Sequence, residues 1–452
     1  MRIHFIAIGG AVMHNLAIAL LKKGYKVSGS DDEIFDPARS HLHKYGLLPE
    51  ETGWFPGKLD PGIDAVILGM HAKEDNPELI RARELGLKIM SFPEYLYDQT
   101  RDKTRIVIGG SHGKTTITSM VMHVFRFCGI QFDYMVGSII DGFETMVGLS
   151  SNSEIAVFEG DEYLTSVLDP RPKFHLYNPD IAVINGIAWD HFNVFPDYRG
   201  YVDQFRIFTD KVTKNGHLVY YNGDPEVVAI AQKSRSDIKK TAYGIHGYFQ
   251  NAKGFFAANE KMVVPLKIFG EHNMQNLSAA RAVCLASGIE EEQFYEAIKS
   301  FSGSARRLQL IREEGSRCLY LDFAHSPSKV KGTVEAIDER FPSKKVVACF
   351  ELHTYSSLNS SFLDQYKGSM DAANVPLIYY NPHALILKRL PMIEKSDVAA
   401  AFGIDESCVF NDSSQLMVRL AEEKEENTVF LLMSSGDFNG TDISTLADEL
   451  IC

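Results

Sequence analysis

A lysine, two threonines and two glycines stand together in Gly110-Ser111-His112-Gly113-Lys114-Thr115-Thr116, between a short apolar run and a stretch with helical spacing. Strand, glycine turn, Gly-Lys-Thr and helix is the layout that cradles a polyphosphate. Backbone N–H groups and the helix N-terminus face the anion, and the lysine reaches its outer phosphates. Lys114 is therefore a candidate catalytic cation, and Thr115 or Thr116 a candidate hydroxyl ligand for Mg²⁺. The full phosphate-loop signature has glycine where Ile108 stands, so the motif here is the shorter Gly-x-x-Gly-Lys-Thr-Thr. A bare Gly-Lys-Thr also occurs as a plain glycine turn. Its place at a strand-to-helix junction favours nucleotide binding.

Other polar residues follow apolar runs in the same way. Glu159 lies in Phe158-Glu159-Gly160-Asp161-Glu162-Tyr163, after the run Ile155 to Phe158. Carboxylates at a strand's carboxyl end lie where ligands bind in an open α/β sheet, and Mg²⁺ needs one or two such oxygens beside phosphates. The bland alternative is an acidic solvated loop. Asn185 and then Trp189-Asp190-His191 follow Ile181 to Ile184; a lone histidine is usually structural, but this one shares the post-strand position. Asn273 and Asn276 open a helix, where asparagine also serves as a cap. Arg306-Arg307 precede Asp322-Phe323-Ala324-His325. An arginine pair is usually solvated surface, yet beside a nucleotide it can stabilise a transferring phosphoryl group.

The elements that must position these groups alternate strand and helix. Ile3 to Ile8, Lys26 to Gly29 and Ala65 to Leu68 read as strands, with Val12, Leu16, Ala19 and Leu20 on one helical face. Such βαβ alternation implies parallel sheets covered by helices. A polar stretch from Tyr97 to Lys103 marks a boundary, and a third series starts at Cys318 to Leu321 and runs through Val346 to Phe350, Leu377 to Tyr380 and Val429 to Met433. The expected fold is α/β in three domains: a Rossmann-like N-terminal domain (1–103), a phosphate-loop ATPase-type central domain (104–311) and a Rossmann-like C-terminal domain (312–452).

A chain of 452 residues fits two or three cores. Its net charge of -13 argues against a nucleic-acid partner, which calls for a basic patch. No apolar run approaches the roughly 18 residues that span a bilayer, and no signal-peptide pattern precedes Ile3. Six scattered cysteines form no CxxC pair, so they read as thiols in a reducing compartment. A cytoplasmic protein with no membrane partner is expected.

In order along the chain, these segments resemble the Mur ligase family, which builds the peptide of bacterial cell-wall precursors. The set comprises the glycine turn Ile8-Gly9-Gly10-Ala11-Val12-Met13-His14, Gly-x-x-Gly-Lys-Thr-Thr, Glu-x-Asp-Glu, Asn then Asp-His, Gly-x-His-Asn-x-x-Asn, Gly-x-x-Arg-Arg and Asp-x-x-His. Each motif alone is weak, and the ordered set is specific. The resemblance implies ATP and Mg²⁺ as cofactors. ATP would be bound by Gly110, Ser111, His112, Gly113, Lys114, Thr115 and Thr116, with Asn273 approaching the adenine, and Arg307 and Asp322 closing from the domain boundary. Thr115, Glu159 and His191 would be metal ligands, and Lys114, His191 and Arg307 the catalytic residues. Gly9, Gly10, Ala11, Met13, Ser30 and Asp31 would meet a UDP-sugar.

Some relatives use a carboxylated lysine a little over a dozen residues past the Asp-His histidine; here the stretch reads Asp203-Gln204-Phe205-Arg206, so that modification is not carried over. A glutamine there resembles the branch acting on UDP-N-acetylmuramate directly, joining it to an amino acid or a peptide. One such activity adds L-alanine; another attaches the recycled tripeptide L-alanyl-γ-D-glutamyl-meso-diaminopimelate. Gly29-Ser30-Asp31, Asp161-Glu162-Tyr163, Asp169 to Phe174 and Met433 to Phe438 resemble the tripeptide branch, although Ser326 replaces a second histidine. The first turn departs from the family, which usually has glycine where Ala7, Val12 and Asn15 stand. Either the sugar nucleotide sits differently, or side chains such as His14 and Asn15 contact it. A nicotinamide site with Asp31 on the ribose, a folyl-polyglutamate synthase of the same architecture, and a non-catalytic nucleotide sensor are the rival readings. Glu351-Leu352-His353-Thr354-Tyr355-Ser356-Ser357 follows a strand and lines either the amine-donor pocket or an ordinary polar loop.

Overall fold

The computed structural model describes residues 1–189 and 194–452. The described chain divides into two compact units. One holds Met1–Ile187, Tyr198–Gly244 and Ser278–Ile298; the other holds 188–197, Ile245–Leu277 and Lys299–Cys452.

The first unit begins with a four-stranded parallel sheet of β1 (Arg2–Ile6), β2 (Lys26–Ser30), β3 (Ala65–Leu68) and β4 (Ile89–Ser91), in the order β2-β1-β3-β4. All of β3 and four residues of β1 are buried, as parallel strands covered on both faces require. The strand expected to reach Ile8 stops at Ile6, because Ala7 turns to φ +66°. The N–H groups of Ala7 and Ile8 then both donate to the Ser30 carbonyl, at 2.9 and 3.1 Å. A left-handed backbone costs a residue with a Cβ about 1–2 kcal/mol, against about 0.4–1 kcal/mol for the looser unfolded chain of a glycine. Ala7→Gly should therefore stabilise by roughly 0.5–1 kcal/mol, raising the thermal midpoint by about 2 °C. A lowered midpoint would show that Ala7 packs better than its backbone suggests.

A seven-stranded sheet follows, built from β5 (Thr104–Gly109), β6 (Phe132–Met135), β7 (Val147–Gly148) and β8 (Ile155–Glu159). After a separate hairpin of β9 (Leu164–Ser166) and β10 (Asp169–Pro172), it is completed by β11 (Ile181–Ile184), β12 (His217–Tyr221) and β13 (Lys239–Tyr243). Its order is β13-β12-β11-β5-β8-β6-β7, and only β7 runs antiparallel to its neighbour. The chain leaves β5 first toward β8 and β6 and later returns to β11. The carboxyl end of β5 is thus the point where strand order reverses, the position at which open α/β sheets bind ligands.

Behind this sheet the 3₁₀ turn Lys173–Leu176 buries His175, whose Nε2–H donates to the Gln204 carbonyl at 2.7 Å. Burial first, then Lys211 and Arg171, push its pKa down to about 4, against the opposing pull of the Gln204 carbonyl and Asp169. The folded chain therefore prefers neutral His175, while the unfolded chain protonates near 6.5. This stability is fully present above about pH 6.5 and is lost as pH falls toward 4, roughly 3 kcal/mol in all. Urea midpoints should fall across that window in the wild type, and His175→Leu should flatten the fall. An equal fall in the variant would assign the loss to other groups.

The second unit contains an antiparallel meander of β14 (Tyr248–Asn251), β15 (Gly254–Ala258) and β16 (Val263–Leu266). Its main sheet comprises β17 (Gln309–Glu314), β18 (Arg317–Asp322), β19 (Lys345–Leu352), β20 (Val375–Tyr380), β21 (Val409–Phe410) and β22 (Thr428–Met433), ordered β17-β18-β22-β19-β20-β21. All neighbours run parallel except the β17–β18 hairpin. Leu319, Leu321, Val347, Cys349, Leu377, Phe430 and Leu432 form its core. The carboxyl ends of β18, β22, β19 and β20 share one edge. Among the described residues no helix is long and apolar enough to cross a membrane, and all six cysteines are free thiols.

Candidate functional site

Immediately after β5, Gly110 adopts φ +133° and Gly113 φ +75°, and the Lys114–Phe127 helix starts. A Cβ on Gly110 would lie 2.9 Å from the Asn185 nitrogen, so the turn requires glycine there. Ser111 ties the loop down: its N–H and hydroxyl both donate to the Gly186 carbonyl, at 3.0 and 3.1 Å. Asn185 Nδ2 donates to the His112 carbonyl at 3.1 Å, and the Tyr243 hydroxyl donates to Asn185 Oδ1. The asparagine after β11 thus braces the phosphate loop from below.

Lys114 Nζ donates to the Gly110 carbonyl and to Glu162 Oε2, both at 2.7 Å. Glu162 is fully buried, and its second oxygen accepts from the Tyr201 hydroxyl at 3.1 Å. Burial opposes the charge on Lys114, but Glu162, Asp161 and Glu159 outweigh it and hold its pKa above the ordinary lysine value. The lysine is therefore charged at neutral pH and aligned at the mouth of the loop. Asp161 is engaged separately, by Lys173 Nζ at 2.6 Å.

Glu159 ends β8 beside the first helical turn. Its Oε1 accepts from the Thr115 hydroxyl at 3.1 Å, and its Oε2 from the Gly137 N–H at 2.7 Å. Thr115 and Glu159 thus offer two adjacent hard oxygens. Among the described residues no group of three or more His, Cys, Asp or Glu side chains is placed to hold a metal ion. A hydroxyl and one carboxylate suit Mg²⁺, which keeps waters and takes phosphate oxygens instead of an all-protein cage. Thr116, on the same turn, is buried. Asp190 and His191, the expected Asp-His pair, lie outside the described residues.

At the first turn, the Gly9 N–H donates to Asp31 Oδ2 at 2.7 Å, and a Cβ on Gly9 would lie 2.9 Å from that oxygen. Gly10 caps the Ala11–Lys22 helix. Burial, with Asp32 adding, pushes the Asp31 carboxyl up to about 6, although the Gly9 N–H pulls it down. Ala11 is exposed. Met13 and Ser30 are buried, and Lys58 Nζ donates to the Ser30 hydroxyl at 3.0 Å. His14 and Asn15 turn inward: they are 3% and 0% exposed, too little to reach a ligand directly. His14 Nδ1–H donates to the Gly10 carbonyl at 2.9 Å. Its Nε2 accepts from Asn15 Nδ2 at 2.9 Å and from His41 Nδ1 at 3.3 Å. Burial lowers the His14 pKa, in keeping with this neutral tautomer.

Asn273, Arg307 and Asp322 belong to the second unit. Asn273, in the first turn of the Glu271–Ala286 helix, donates through Nδ2 to the Phe269 carbonyl at 2.8 Å. Arg306 and Leu308 take φ +55° and +45°, a strained turn that Asp322 holds. Its carboxylate accepts the N–H groups of Leu308 and Ala324, each at 2.7 Å, and the Thr333 hydroxyl at 3.3 Å. The Arg307 guanidinium lies 4.7 Å from the Phe323 ring centre. Arg306 donates to the carbonyls of Ser434 and Gly436, at 3.1 and 2.5 Å. Glu351, almost fully buried, accepts from the Ser434 hydroxyl and, at 2.9 Å, from the Phe438 N–H. It braces the loop after β22 from within β19, which includes Glu351 and Leu352, so the polar stretch that follows the strand begins at His353.

Glu162, Asn185 and Lys173 stand in the segments noted in the sequence but carry no role there, and Tyr201 lies outside all of them. The signal for Glu162 was its place three residues past Glu159; nothing local marked Tyr201.

Residues 2–104 match the family model described as "Mur ligase family, catalytic domain", and residues 108–284 match "Mur ligase middle domain". A UDP-N-acetylmuramate–L-alanine ligase of Hydrogenobaculum sp. (strain Y04AAS1) is 31% identical over 448 residues, covering 95% of each chain. The UDP-N-acetylmuramate–L-alanyl-γ-D-glutamyl-meso-2,6-diaminoheptandioate ligase of Escherichia coli (strain K12) is 27% identical, covering 97% of this chain and 96% of the other. The crystal structure of a murein peptide ligase from Psychrobacter arcticus superposes with a TM-score of 0.68 at 22% identity, over 100% of this chain and 98% of that one. At that identity the likeness carries the fold.

Proposed function

The chain belongs to the Mur ligase family of ATP-dependent amide-bond-forming enzymes, and on that premise we propose that it joins the carboxylate of UDP-N-acetylmuramate to the amine of the tripeptide L-alanyl-γ-D-glutamyl-meso-diaminopimelate. The observation that carries the ATP-dependent ligation is the charged Lys114, held on Glu162 beside the Thr115–Glu159 oxygen pair at the strand-order reversal; the tripeptide as donor rests on the segments Gly29-Ser30-Asp31, Asp161-Glu162-Tyr163, Asp169 to Phe174 and Met433 to Phe438. Domains 1–103, 104–311 and 312–452 take the sugar nucleotide, ATP and the amine donor. Gly9, Gly10, Ala11, Met13, Ser30 and Asp31 form the UDP-sugar turn, Ala11 through its backbone and Ser30 from behind it. Free thiols suit a reducing compartment, the cytoplasm.

The muramyl carboxylate oxygen attacks the γ-phosphorus of ATP and ADP leaves. The donor amine then attacks the acyl phosphate carbon, loses a proton and expels phosphate. Phosphoryl transfer offers side chains little covalent work, so the protein's part is alignment and charge neutralisation. Lys114 exchanges its Glu162 and Gly110 partners for phosphate oxygens. Gly110 to Thr116 present backbone donors; the family resemblance assigns further positive charge to Arg307 and a second nucleotide contact to Asn273. Asp322 holds the turn that carries Arg307. Thr115 and Glu159, with His191, would hold Mg²⁺, which offsets phosphate charge when bound.

The L-alanine ligase is the second reading, favoured by the 31% identity to such an enzyme. Supplying ATP and UDP-N-acetylmuramate with either donor separates the two. The tripeptide should give kcat/KM at least about tenfold above L-alanine, a difference of about 1.4 kcal/mol; the reverse order would assign the alanine reaction.

A further inference from the structure

We propose that the segment 136–146 is a strut coupling the sugar-nucleotide turn to the phosphate loop, and that Asn15 is the positioning residue that joins it to the turn. This rests on the ligase reading above and adds a residue and a linkage to it.

Asn15 is fully buried in the first helix after Gly9-Gly10, and its amide is used at both ends. Nδ2 donates to the Ala11 carbonyl at 2.8 Å and to His14 Nε2 at 2.9 Å, on the side of the turn. Oδ1 accepts the Met146 N–H at 2.9 Å. The Met146 carbonyl in turn accepts the Val136 N–H at 3.0 Å. The next residue, Gly137, donates its N–H to Glu159 Oε2 at 2.7 Å, and Glu159 Oε1 accepts from Thr115 at 3.1 Å. A continuous series of hydrogen bonds and peptide units therefore runs from behind one ligand turn to the first helical turn of the other. Gly137 fits this role by size, because a Cβ there would lie 2.8 Å from Glu159 Oε1.

The same segment is gripped again at the surface. Glu144 accepts from Lys22 at 2.6 Å and Lys44 at 2.9 Å, and from the Tyr45 hydroxyl. Lys22 ends the helix that carries Asn15. Exposed ion pairs of this kind contribute little each. The buried Asn15 contact is the one whose loss leaves an N–H without a partner. A sugar nucleotide that shifts the Ala11–Lys22 helix would move the Met146 peptide, and with it the backbone donor on Glu159. By linkage, ATP bound at Thr115 would bias the turn by the same factor.

The test is the dissociation constant of a Mg²⁺–ATP analogue, measured by calorimetry without and with saturating UDP-N-acetylmuramate. In the wild type the sugar nucleotide should tighten it by about fivefold or more. In Asn15→Ala that ratio should fall to within about twofold of unity. Glu144→Ala frees the same segment from the surface without opening the buried site. It should lower the ratio by at least about twofold, and it decides the matter if Asn15→Ala fails to fold. A wild-type ratio near one, or a ratio unchanged in every folded variant, overturns the strut. Failure of the wild type to bind either ligand would instead strike the ligase reading, and the strut with it.

Discussion

Lys114→Ala is expected to reduce phosphate release in the presence of both substrates by about a thousandfold or more. Each preorganised donor at a developing charge is worth about 10²–10³ in rate, and Lys114 adds a full positive charge in a largely buried site. The fold should survive. Glu162 keeps its Tyr201 hydrogen bond, so the stability loss should be roughly 1–3 kcal/mol, within reach of a domain's reserve. Lys114→Arg should not rescue, because a planar guanidinium cannot occupy the place of a compact ammonium between Gly110 and Glu162. Circular dichroism, melting and single-turnover ADP formation check this. A folded variant with near-normal ADP formation would remove Lys114 from the chemistry.

Asp322→Ala should be the second large effect, through structure first. The carboxylate collects two buried N–H groups and a hydroxyl around a turn with two left-handed non-glycine residues. Each buried donor left without a partner costs about 1–3 kcal/mol, so a loss of roughly 2–5 kcal/mol in the second unit is expected. Turnover should fall with it, because Arg307 sits inside that turn. Asp322→Asn keeps an acceptor and should recover part of both losses. If Asp322→Ala instead lowers turnover with an unchanged melting midpoint, Asp322 touches nucleotide directly and its backbone bonds are secondary.

Much of the frame was legible in the sequence because parallel strands buried on both faces leave continuous apolar runs. Ala65 to Leu68, Ile181 to Ile184 and Val429 to Met433 are of this kind. The phosphate loop was legible for a local reason: glycine at the positive-φ positions, then lysine and threonine. The antiparallel β14–β16 meander was not, since β14 buries no residue and the alternating runs of β15 and β16 are only four or five residues long. Nor could the sequence show where β1 ends, because the turn of Ala7 is imposed by two hydrogen bonds to Ser30. Which acid after β8 meets Lys114 was equally hidden. Asp161 and Glu162 are adjacent, and only the fold sends one to Lys173 and the other to Lys114. His14 and Asn15 looked able to reach a ligand, but their direction is set by His41 and Met146, remote in sequence.

The central claim is that ATP activates the muramyl carboxylate, and isotope transfer tests it most directly. UDP-N-acetylmuramate carrying oxygen-18 in its carboxylate should be turned over with ATP and the amine donor. Phosphate bearing one oxygen-18 atom is the predicted product, because the bridging oxygen leaves with the phosphoryl group. Unlabelled phosphate formed alongside the amide would contradict it.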